Sequence, residues 1–175
     1  DEGYGNVIDV TPGPGVSLDV DRVQASRRGT LTVSACGICG RRSIQDLAER
    51  CPPLDPGPKV TSDLLLRLCD QLPEMQPTFR ATGGAHAAAA YTSSGDLLCC
   101  LEDVARHNAV DKVVGELLLT GRIGPSDDEP APLKPSILAV SGRLSFEIVQ
   151  KAAVARIPIV ASVSAASSLG ADLAR

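Results

Sequence analysis

The residues best suited to chemistry are Cys36 and Cys39, in the run Ala35-Cys36-Gly37-Ile38-Cys39-Gly40. A thiolate that accepts sulfur must be exposed, have a lowered pKa and reach into another molecule. Glycine after each cysteine removes side-chain bulk and leaves a flexible loop able to enter a narrow pocket. Arg41 and Arg42 place positive charge beside the pair, which favours thiolate over thiol. Structural zinc would take four ligands. No second C-x-x-C is present, and His86 and His107 lie far apart in sequence, so no structural metal is expected. A thioredoxin-like pair would open a helix after a strand. A strand is expected before Cys36, but the glycines make the segment a loop. A nucleophile or sulfur carrier is the better reading. Cys51, Cys69, Cys99 and Cys100 fall in apolar or periodic stretches, where small buried thiols are common.

Three other places attract attention. Gly83-Gly84 followed by His86 suits either a close backbone approach to a ligand or a tight turn. The polar run from Glu102 through Asp103, Arg106, His107 and Asn108 is unusually dense, and a solvated helix start would explain its carboxylates. Ser141-Gly142-Arg143 is expected at a strand-to-helix turn, where the amides of Leu144 and Ser145 could meet an anion and Arg143 could add a bidentate contact.

These residues need a scaffold. The chain has 175 residues, 43% of them hydrophobic but only 2% aromatic and none Trp, so its core must be Leu, Val, Ile and Ala. That suits helices layered on a sheet, in a single α/β domain over residues 1–175. Short strands are expected at residues 6–10 and 16–20 around Thr11-Pro12-Gly13-Pro14-Gly15, and at 31–35 leading into the cysteine loop. A helix should start at Ser43 and stop at Pro52-Pro53. Another should run from Ser62 to Leu72 with Leu65, Leu68, Cys69 and Leu72 on one face. An alanine run ending at Tyr91, a loop at Ser93–Asp96 and a return strand at 97–101 read as a hairpin. Asp103 is expected to cap a helix carrying Val104, His107, Val110 or Asp111, Val114 and Leu117. Residues 121–135 read as a solvated loop. A β-α-β unit follows, with strands at 137–140 and 159–163 around a helix at 145–155, and a last helix starts near Ser167. No internal repeat is visible.

The net charge of −4 and pI near 5.1 argue against nucleic acid as the main partner. No apolar run reaches the roughly 20 residues of a membrane span. The first residues, Asp1-Glu2-Gly3-Tyr4, have neither a basic nor an apolar signal region and no initiator Met. The expectation is a cytoplasmic protein with reduced thiols, cut upstream or poorly ordered at its start.

Taken in order, the segments 34–40, 82–88, 102–112, 141–147, 150–152 and 161–165 resemble the formate dehydrogenase accessory protein family, FdhD. The resemblance covers residues 30–175. It implies a cytidine-deaminase-like α/β fold, a layered sheet with helices. It also implies a sulfurtransferase that takes sulfur from a cysteine desulfurase and passes it to the molybdenum bis-guanine-dinucleotide cofactor of formate dehydrogenase. Cys36 would hold the persulfide and Cys39 would assist or relay. Gly83, Gly84, His86, Arg106, His107, Asn108, Ser141, Gly142 and Arg143 become candidate walls of a guanine-nucleotide pocket, and the family suggests a homodimer. Ala105 stands where the family usually has Gly, and Ala166 where it has Pro. The family's N-terminal region and a C-terminal cofactor-binding segment find no counterpart here, so the expectation is that this chain is the middle of such a protein.

Two other functions deserve weight. A zinc deaminase needs H-x-E and a downstream P-C-x-x-C. Here Ala88 stands two residues after His86, the cysteine pair is upstream and Ala35 replaces the Pro, so the proton shuttle is missing. A non-catalytic cofactor-binding or docking chaperone for formate dehydrogenase would keep the same loop.

Overall fold

A computed structural model of the chain describes residues 13–15, 17, 53–54, 56–124 and 134–175. The strands expected at 6–10, 16–20 and 31–35, the helix from Ser43, and Cys36, Cys39 and Cys51 lie outside the described residues. So does most of the loop expected at 121–135.

Helix α1 (Ser62–Gln71) starts where Thr61 accepts the Leu64 amide through its side chain, satisfying one of the amides a helix start leaves free. It stops one residue short of the expected Leu72 because Pro73 cannot supply the next amide hydrogen. The chain tightens instead into a 3-10 turn, Leu72–Met75. A short helix, α2 (Pro77–Thr82), follows and has no counterpart among the expected elements. Proline at its first position fits a helix start, but six residues carry no readable apolar period.

Strands β1 (His86–Tyr91) and β2 (Leu97–Asp103) pair antiparallel as the expected hairpin, with His86 opposite Asp103. Helix α3 (Arg106–Leu119) leads on to β3 (Ile137–Val140), α4 (Phe146–Val154), β4 (Ile159–Ser162) and α5 (Ser168–Leu173). The sheet order is β2-β1-β3-β4, with β3 antiparallel to β1 and parallel to β4. The expected β-α-β unit is present, and the whole is a mixed α/β sheet with helices on both faces.

The alanines of β1 explain how this sheet closes. Alanine is a poor strand former and a good helix former, yet Ala87 to Ala90 are all buried in a strand. Alternate residues serve opposite faces. Ala88 and Ala90 join Leu138, Val140, Ile148 and residues of α3 in one core cluster. Ala87, Ala89 and Tyr91 join Leu68, Leu72, Ile137 and Ala139 in the other. A central strand covered on both sides by Leu and Val leaves room for methyl groups only, and packing overrides propensity.

The α3 face differs from its expected form. His107, Ala109, Val110, Val113 and Leu117 are buried, whereas Val104 precedes the helix and is 78% exposed. Asp103 is not the cap: it is the last residue of β2, and Ala105 occupies the cap position with no side-chain hydrogen bond. Among the described residues no helix is long and apolar enough to cross a membrane.

Candidate functional site at the end of the sheet

Ligands of open α/β sheets gather beyond the carboxyl ends of parallel strands. Here those ends belong to β3 and β4. Ser141 prolongs β3: its amide donates to the Ala87 carbonyl at 3.0 Å, and its Oγ accepts the Ala87 amide at 2.9 Å. Both bonds pin the next residue, Gly142, against the start of β1. A Cβ on Gly142 would stand 3.3 Å from Cβ and Cδ of Arg106 and 3.4 Å from Nδ1 of His86. Glycine is therefore what lets these two side chains lie against the backbone. Residues 86, 106 and 142, which are far apart in sequence, meet at one point.

The opposite side of Gly142 is fixed by β4. Ser162 Oγ donates to the Gly142 carbonyl at 2.6 Å and accepts the Ser164 amide at 3.0 Å. Ser162 is thus a structural part of this edge that was not singled out from the sequence. Its place at the end of the strand parallel to β3 was the available signal.

Arg106, His107 and Asn108 form the first turn of α3. Arg106 Nε is buried without a hydrogen-bond partner. His107 is 8% exposed, and its Nε2 lies 3.9 Å from Glu147 Oε1 with no hydrogen bond. Burial pushes its pKa down, Arg106 adds to the effect and Glu147 opposes it. His107 is accordingly a neutral group between α3 and α4. Asn108 donates its amide to Asp103 Oδ1 at 3.0 Å, and the same oxygen accepts the Ala105 amide at 3.0 Å. Lys112 completes this knot, 2.7 Å from Asp103 Oδ2 and donating to the Glu102 carbonyl at 2.9 Å. The hydrogen bond from Lys112, with those from Ala105 and Asn108, holds the Asp103 carboxyl below its usual range. Asn108 and Asp103 thus brace the turn that presents Arg106.

Glu102 has a similar job. Its two oxygens accept the amides of Thr78 and Phe79 at 2.8 Å each, tying α2 to the sheet. Partial desolvation works against ionisation, but the Phe79 and Thr78 amides outweigh it and lower the Glu102 pKa.

The contacts of the glycine pair are those of a tight turn. Gly83 has φ 66 and ends α2, its amide donating to Phe79 at 2.7 Å, and nothing lies within 4 Å of where its Cβ would be. This is a left-handed helix stop, where glycine is favoured for backbone reasons. Gly84 donates to Thr82 Oγ1 at 3.1 Å and would meet only ordinary contacts as alanine.

The anion site expected at the following turn is altered. The Leu144 amide is spent on the Ala165 carbonyl at 3.1 Å, so it is not available to an anion. The reason is topological: residues 144 and 166 form a parallel bridge that prolongs the pairing of β3 and β4 beyond the sheet. Arg143 is exposed. Among the described residues it has no ion pair with Glu147, which faces His107 instead.

The thiols inside the described residues are held above their ordinary pKa. Burial pushes Cys69 up, with Asp70 adding to it, and does the same to Cys99 with Glu116. Cys100 is pushed up to about 11 by burial, then by Cys99 and Glu102.

Residues 8–175 match the family model described as the FdhD/NarQ family. A sulfur carrier protein FdhD of Anaeromyxobacter dehalogenans is 51% identical over 175 residues, covering 100% of this chain and 60% of the relative. Sulfur carrier proteins FdhD of Streptomyces coelicolor and Mycobacterium tuberculosis are each 45% identical over 172 residues, 97% of this chain and 57% and 58% of theirs. The chain thus spans about 60% of the length of the curated relatives it matches. A crystal structure described as a formate dehydrogenase accessory protein from Desulfotalea psychrophila superposes with a TM-score of 0.56 at 29% identity. It matches 72% of this chain and 51% of that one.

Proposed function

This chain belongs to the FdhD/NarQ family, and from that premise we propose that it is a sulfurtransferase working through Cys36 and Cys39. The Cys36 thiolate attacks the outer sulfur of a persulfide on a cysteine desulfurase. The sulfur–sulfur bond of the donor breaks, the donor cysteine leaves as thiolate, and the sulfur stays on Cys36. Cys39 assists or relays the sulfur to its acceptor. That acceptor is the molybdenum bis-guanine-dinucleotide cofactor, held as cargo on its way to formate dehydrogenase, in the cytoplasm and on a protein that assembles as a homodimer.

One observation in the described residues carries the cargo half of this reading: His86, Arg106 and Gly142 converge at the carboxyl end of the sheet. A guanine nucleotide is polyanionic, and Arg106 there has a buried nitrogen with no protein partner. Arg143 stands exposed on the residue after Gly142 and can add a second cationic contact. Gly83, Gly84, His107 and Asn108 support the walls as helix stop, packing and brace. They are not direct ligands in this scheme.

Incubation with a cysteine desulfurase and cysteine tests the sulfur half. A carrier gains the mass of one sulfur atom, and a docking chaperone gains none. GDP calorimetry on the full-length protein tests the cargo half.

A further inference from the structure

A second concavity lies at the other end of the sheet, away from the point where His86, Arg106 and Gly142 meet. It is a cavity of about 660 Å3 between α3 and α4, beside the amino ends of β3 and β4. Its size falls in the range of small-molecule sites. Val114, Leu118, Ile123 and Val154 give it apolar walls, and Lys151 and Arg156 stand at its rim. Lys151 is held by Asp111 from across the cleft. Arg122 and Lys134 also border the space and are engaged in other interactions.

The two helices that frame this cavity end in the same way. At the end of α3 the Gly121 amide donates to Leu118 and the Arg122 amide to Leu117. At the end of α4 the Arg156 amide donates to Ala153 and the Ile157 amide to Ala152. Both are the paired-bond helix stop whose first residue past the cap is left-handed and usually glycine. Gly121 fits, with φ 70, but the equivalent residue of α4 is Arg156, with φ 58. Arg156 is the one non-glycine residue with positive φ among those described. An L side chain is disfavoured there, and strain of this kind is a pointer to function when a second observation agrees. The cavity is that observation, since the strained residue supplies an exposed cation to its rim.

We propose that this cavity binds an organic anion with an apolar body, the apolar part lying between α3 and α4 and the anionic head on Arg156. The site is separate from the cargo end of the sheet and does not depend on the sulfur-carrier reading. A fluorescent anionic amphiphile, 8-anilinonaphthalene-1-sulfonate, serves as the probe on the folded full-length protein, with octanoate and octylamine as competitors. Saturable binding of one probe per chain is expected, displaced by octanoate and not by octylamine. Arg156→Gly should weaken binding by about tenfold, the loss of one charge-assisted contact. The same change should raise Tm by about 2–4 °C through relief of the left-handed backbone. Arg156→Lys should keep most of the affinity without the gain in Tm. Arg67→Ala, a change on the exposed face of α1, should alter neither. Displacement by octylamine as well as octanoate, or unchanged affinity in Arg156→Gly, overturns the proposal. So does a fall in Tm together with lost binding, which would make Arg156 a structural part of the helix end.

Discussion

The two ends of the sheet solve different problems with different residues. At the carboxyl end, side chains and backbone are knotted together: Ser141 with Ala87, Ser162 with Gly142, Asp103 with Asn108 and Lys112. One cation, Arg106, is left with an unmatched buried nitrogen. At the amino end the walls are apolar and the cations stand at the rim. The first is an edge held in place by hydrogen bonds, and the second is a cleft whose shape comes from packing. Changes at the carboxyl end should therefore act on ligand affinity through geometry, and changes at the amino end through contact area and charge.

The largest effect is expected from Arg106→Ala. Loss of a charge-assisted contact should cost about 1.5–3 kcal/mol of GDP affinity, measured by calorimetry, with octanoate binding at the other end unaffected. Equal loss at both ends would erase the distinction drawn between them. Gly142→Val comes next. Its side chain must displace Arg106 and His86, and overpacking of this kind costs about 1–3 kcal/mol of stability, together with reduced GDP affinity. Gly83→Ala is the contrast. It places a side chain in a left-handed position with open space around it, costing about 1–2 kcal/mol of stability while leaving GDP affinity intact. If Gly83→Ala abolished GDP binding, the turn would have to be returned to the cargo site.

A smaller effect concerns pH. Burial lowers the His107 pKa in the folded protein, so below the free value of about 6.5 the unfolded chain binds more protons than the folded one. Stability is then present above that value and lost as pH falls through it. Glu102 and Asp103 have lowered pKa values and lose their contribution later, as pH falls below the ordinary carboxylate range. A His107→Gln variant should flatten denaturant midpoints between pH 7 and 5 and leave the steeper acid limb in place. An unchanged slope would show that His107 does not titrate with unfolding.

The contrast also explains what could be read from the sequence. The β-α-β unit was legible because Ile137–Val140 and Ile159–Ser162 are apolar runs spaced by one helix. The alanine strand was legible through its loop and return strand. Helix α2 was not, since the six residues Pro77–Thr82 show no period and are held by Glu102 from 23 and 24 residues away. Arg106, Gly142 and His86 could be named from their types. Their meeting could not, because it depends on strand order. The Leu144 amide failed as anion donor because the fold pairs it with the Ala165 carbonyl. Asp103 failed as cap because it ends β2 opposite His86 and its carboxylate is taken by Ala105, Asn108 and Lys112.

The central claim is that sulfur travels on Cys36, and it is tested most directly by mapping persulfide to individual cysteines after incubation with a cysteine desulfurase and cysteine. Cys69, Cys99 and Cys100 serve as internal controls, their thiols held protonated by burial. The added sulfur should be found on Cys36, vanish in Cys36→Ala, and be scarce on the three controls at neutral pH. Persulfide spread evenly over all the cysteines, or undiminished in Cys36→Ala, would contradict the account.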